Sequence, residues 1–105
     1  MENLIRAVDQ LIDTSIHRLS TSESVMVYGY RLDLLALFDR VRLTQKLKND
    51  SIEFCNSRGI QALEDVYTGG LLITIDLRTC MLNYQQAQDF NTALTYARQF
   101  HGDDV

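Results

Sequence analysis

The sequence predicts a small, mostly helical α+β domain with three to four helices and one short antiparallel β element. Three observations carry that prediction. Apolar residues recur at three- and four-residue steps at both ends of the chain, the run LLITIDLR at 71–78 alternates, apart from Leu72, behind a double glycine, and no proline, repeat or low-complexity linker divides the 105 residues. At 46% apolar content the length suffices to bury a core without metal or disulfide support, so a single compact domain over 1–105 is expected.

The first helix is written by Leu4, Val8, Leu11, Ile12, Ile16 and Leu19, one stripe on a helical projection, with His17 among polar positions on the other side. Residues 25 to 48 admit two readings. On a helical projection Met26, Val27, Tyr30, Leu34, Leu37, Phe38 and Val41 fall on one side, and Val25, Leu32, Ala36, Leu43 and Leu47 on the opposite one. That favours one long helix buried on two faces. The alternative makes 25–31 a strand and starts a helix near Asp33, because Val25, Val27, Tyr28 and Tyr30 suit strands and Gly29 weakens a helix. The helical reading is preferred because the pattern runs unbroken across Gly29.

Further on, either Asp50 or Ser51 caps a short helix through Cys55 or the long helix continues, and Gly59, in the left-handed position that ends many helices, is the stop. Ile60, Leu63, Val66 and Tyr67 keep a helical spacing up to Gly69-Gly70. In the strand that follows, Leu71, Ile73, Ile75 and Leu77 point one way, and Leu72, Thr74, Asp76 and Arg78 the other. Asn83 and Gln86 spell a capping box ahead of a last helix striped by Ala87, Phe90, Ala93, Leu94, Ala97 and Phe100 and ending at Gly102.

A strand cannot satisfy its own backbone. Residues 71–78 therefore pair with 25–31, with a second subunit, or with a client by strand addition. This unpaired strand and the two-faced helix both point toward a homodimer, with Tyr30, Leu34, Leu37, Phe38 and Val41 as the self-association face.

The search for chemistry yields little. The only double glycine leads into a strand with no lysine behind it, so no phosphate cradle, nucleotide or other cofactor is expected. His17, Cys55, Cys80 and His101 are scattered singly, which excludes a paired-ligand zinc site and leaves catalytic residues unassigned. Glu64-Asp65 and Asp103-Asp104 read as solvated surface. The apolar runs are too short to span a bilayer, and the charged start, with Glu2 and Asp9, lacks the form of a secretory signal, so a cytoplasmic location with reduced cysteines is expected.

A net charge of −4 weakens general attraction to nucleic acid, yet Arg31, Arg40, Arg42, Lys46 and Lys48 gather against Asp33 and Asp39. The small acidic chain resembles bacterial or phage accessory proteins in general make-up alone. The functional expectation is a non-enzymatic protein-interaction module, such as an adaptor, chaperone or inhibitor, probed through Thr74, Asp76 and Arg78 on the wet side of the strand and through Arg40, Arg42 and Lys46. The competing expectations are a nucleic-acid-binding regulator using the basic segment 40–48, and a small enzyme built on a histidine or cysteine pocket.

Overall fold

The structure is a computed structural model that describes the backbone of residues 1–21 and 25–101, and the side chains of these residues except 98–101. In chain order the elements are α1 (Glu2–Thr21), β1 (Val27–Leu32), α2 (Leu34–Leu37), α3 (Gln45–Ser57), β2 (Gln61–Glu64), β3 (Leu71–Asp76) and α4 (Tyr84–His101). The α+β class holds, and the β element is a three-stranded antiparallel sheet in the order β1-β3-β2.

The expected stripe of α1 is the core. Leu4, Val8, Ile12, Ile16 and Leu19 are buried against the inward side chains of β3, Leu71, Ile73 and Ile75, and against Leu34, Cys55, Ile60 and Ala62. Burying each such Leu or Ile contributes roughly 1.5–3 kcal/mol. Polar groups fix the seating of α1 on the sheet: the Ser15 and Tyr30 hydroxyls share a hydrogen bond of 2.7 Å, and the Arg18 guanidinium lies 4.5 Å from the centre of the Tyr28 ring.

Residues 27–32 are a strand, which corrects the preferred reading of one long helix over 25–48. Tyr28 pairs with Ile75, Tyr30 with Ile73 and Leu32 with Leu71. Strand propensity prevailed because Tyr28, Tyr30 and Leu32 find a prepared apolar face on β3. The helix that follows is one turn, capped by Asp33, whose carboxylate accepts from the Ala36 amide at 3.2 Å. Residues 61–64, expected to continue a helix, form the third strand, with Ala62 opposite Ile73 and Leu63 opposite Leu72. β3 is thus the central strand, paired on both sides within the chain, and has no edge to offer a second subunit or a client.

α3 starts earlier than the sequence suggests. Thr44 is its cap, accepting from the Leu47 amide at 3.1 Å, and Ser51 lies buried inside the helix with its hydroxyl donated to the Leu47 carbonyl. Its end is as expected. Gly59 has φ +71°, and a Cβ there would sit 2.8 Å from the Thr79 carbonyl oxygen, so both conformation and space require glycine. The capping box of α4 is formed as well: the Gln86 amide donates to Asn83 Oδ1 at 2.7 Å, and the Asn83 amide to Gln86 Oε1 at 3.0 Å. The helix end expected at Gly102 lies outside the described residues.

Candidate functional site

α1 and α4 run side by side in the same direction. Gln86, in the first turn of α4, reaches back to the middle of α1, where its Nε2 donates to Asp13 Oδ1 at 3.1 Å and to the Asp9 carbonyl at 3.4 Å. Beyond that point Asp89, Thr92, Ala93 and Tyr96 of α4 face Asp13, Ile16, His17 and the last turn of α1 across an open groove of about 600 Å³. The spacings explain this alignment. Asp13 and His17 are one turn apart on α1, Asp89 and Thr92 nearly one turn apart on α4, and the small Ala93 leaves the space between them open.

The groove has an apolar floor, Ile16 and Ala93, both buried, and acidic walls. Asp89 Oδ1 accepts from Gln85 Nε2 at 3.0 Å, while Asp13 is held by Gln86, and neither carboxylate makes an ion pair among the described residues. The hydroxyls of Ser20 and Thr21 are donated to the carbonyls of His17 and Arg18, so they close the end of α1. The trough thus sets two carboxylates beside a small apolar floor.

The thiols lie elsewhere. Cys55 and Cys80 are free and buried, and burial pushes the Cys55 thiol up to about 11, against the smaller opposing pull of the Arg58 charge. Burial also raises the Cys80 thiol. Both are protonated near neutral pH and poor nucleophiles. Among the described residues no three His, Cys, Asp or Glu side chains are grouped so as to hold a metal ion, and the His101 side chain lies outside those described.

No family model, curated protein or solved structure matches this chain.

The residues singled out from sequence fall into three places. Thr74 and Asp76 lie on the outer face of the sheet, where Gly29, Arg31, Leu72 and Thr74 surround a shallow depression of about 280 Å³. Asp76 and Arg78 are engaged with each other: Arg78 Nε and Nη2 donate to the two carboxylate oxygens at 3.0 and 2.9 Å. These hydrogen bonds from Arg78 hold Asp76 below the usual carboxylate range.

Arg40 and Arg42 are exposed in the loop between α2 and α3, and Lys46 is exposed in the first turn of α3, whereas Lys48 donates to Glu64 Oε1 at 3.0 Å. The residues proposed as one self-association face share no face. Tyr30 is on β1 bonded to Ser15, Leu34 is fully buried in the chain's own core, Leu37 and Phe38 pack partly against it, and Val41 stands alone at 99% exposure. Sequence reading missed Asp13, Asp89, Thr92 and Tyr96, because nothing local to either helix says that α1 and α4 are neighbours.

Proposed function

We propose that the protein is a non-enzymatic protein-binding module that accepts a basic segment with an apolar centre in the groove between α1 and α4. The observation that supports this is the pairing of the Asp13 and Asp89 carboxylates with the apolar floor of Ile16 and Ala93 in a trough wide enough for a few side chains. Arginine is the fitting counterpart, since its planar guanidinium matches a carboxylate with two parallel hydrogen bonds. Phosphate backbones, by contrast, meet like charge here. An adaptor, a chaperone or an inhibitor of a larger protein suits such a surface, and the two thiols lie buried away from it.

The test is a heteronuclear NMR titration with the synthetic peptide acetyl-Gly-Arg-Val-Arg-Gly-amide. Shifts are expected at residues 13–21 and 89–96, and Asp89→Lys should weaken binding about five-fold, the upper range for an exposed charge pair. Shifts scattered elsewhere, or an affinity indifferent to Asp89→Lys, would remove the groove as the binding site.

A further inference from the structure

The loop between α2 and α3 has the shape and charge that the groove asks for. Phe38 and Leu43 pack against the core at either side of it, Asp39 turns the backbone at φ +51°, and Val41 projects at 99% exposure between the exposed Arg40 and Arg42. Covering this solvated valine would remove apolar surface from water, and the two arginines beside it would bring positive charge to the same contact. No ion pair joins Arg40, Arg42 or Lys46 to an acidic group among the described residues.

The loop cannot serve its own groove. Asn3 Nδ2 donates to the Leu37 carbonyl at 3.0 Å, which places the loop beside the start of α1, whereas the groove begins at Asp13 and runs to the other end of that helix. At 1.5 Å per residue, Asn3 and His17 are about 21 Å apart along the axis, and Phe38 and Leu43 hold the loop in place.

We infer that the occupant of the groove is a second copy of this chain, whose Val41 seats on Ile16 and Ala93 while its Arg40 and Arg42 meet Asp13 and Asp89. This inference rests on the groove reading above and names its partner. The contact joins two different surfaces, so it grows as a chain or closes where two copies laid antiparallel exchange both contacts. The homodimer expected from sequence thus returns on other residues: of the five assigned to self-association, Val41 alone takes part.

Sedimentation of the full chain tests this. The mass at low salt should rise above the 12.1 kDa monomer as concentration is raised from micromolar to millimolar, and return to it at about 1 M salt, where the Debye length is about 3 Å. Arg42→Glu and Asp89→Lys, both at exposed positions, should each weaken association about five-fold without altering the circular dichroism, and the chain carrying both changes should regain the wild-type association, since the reversed charges face one another. Val41→Asp should abolish it alone and in the doubly reversed chain.

A strict monomer at millimolar concentration overturns the inference, as does a doubly reversed chain that stays monomeric. If the wild-type chain is monomeric while the arginine-valine peptide still perturbs residues 13–21 and 89–96, self-docking fails and the binding module stands. If neither occurs, both fail. Binding of a duplex oligonucleotide that depends on Arg42, together with self-association indifferent to Asp89→Lys, would also overturn the inference and assign the loop to nucleic acid.

Discussion

Asp65 is 5% exposed, yet it carries a charge. The Thr68 hydroxyl, donating to Oδ2 at 2.8 Å, is the main cause of its lowered pKa, with the Tyr67 amide donating to Oδ1 at 3.0 Å next and the Arg31 guanidinium, 4.0 Å away, a smaller contribution. The carboxylate thereby organises the β2–β3 turn, where a solvated surface pair had been expected from sequence. Cys55 shows the opposite sign. Its folded pKa is raised to about 11, so the thiol form is favoured in the native state. Stability from this group is complete below the unfolded thiol's value of about 8.5 and is lost as pH rises through 11. Urea unfolding in reductant should show wild type losing about 1–2 kcal/mol more than Cys55→Ala between pH 7 and 10. Equal losses in the two proteins would mean that Cys55 does not titrate differently on folding.

α4 illustrates an element whose start is written locally. Asn83→Ala should cost about 1 kcal/mol, the usual worth of an N-cap. Gln86→Ala should cost more, because Gln86 is 2% exposed and its loss removes buried packing, the acceptor of the Asn83 amide and the tie to α1 through Asp13 together. Equal midpoints for the two variants in chemical denaturation would refute the dual role. The stripe of α1, the inward side of β3, the Gly59 stop and this cap were all legible, since each rests on periodicity or on a backbone requirement within one turn or one strand. β1 and β2 were not. Ile60 and Leu63 fit a helical step, while Ile60 and Ala62 fit a strand step, so the apolar pattern before β3 does not discriminate. Residues 25–48 hold a strand, a single helical turn, a loop and the start of α3, so their two apolar faces on a helical projection belong to no one helix. The exposed basic positions Arg40, Arg42 and Lys46 were visible in sequence, whereas the groove was not, because it arises from the parallel packing of helices separated by most of the chain.

Across the whole molecule, the central strand is paired within the chain, and the charges of Arg40, Arg42 and Asp89 lie on the exposed surface. β1-β3-β2 closes the central strand internally, and Leu34 is enclosed, so neither an orphan strand nor a two-faced helix remains to require a partner. What remains is the separation of the Arg40–Arg42 loop from the Asp13–Asp89 groove, and that separation depends on α1 being held rigidly against the rest. Arg58 is the tie. Its Nη2 donates to Asp9 Oδ1 at 2.9 Å, its guanidinium lies 5.9 Å from the centre of the Phe54 ring, and its carbonyl accepts from the Met81 amide at 2.9 Å, so α1, α3 and the approach to α4 meet at one residue. The side chains are 19% and 34% exposed, which places the ion pair between a surface bridge and a buried one. A double-mutant cycle with Asp9→Asn and Arg58→Gln should return a coupling of about 1 kcal/mol. Arg58→Gln alone should cost more than Asp9→Asn, because it also removes the cover on Phe54. A coupling near zero by urea unfolding would show that the apolar stripe of α1 positions the helix unaided, and the ion pair would then have no part in keeping the loop and the groove apart.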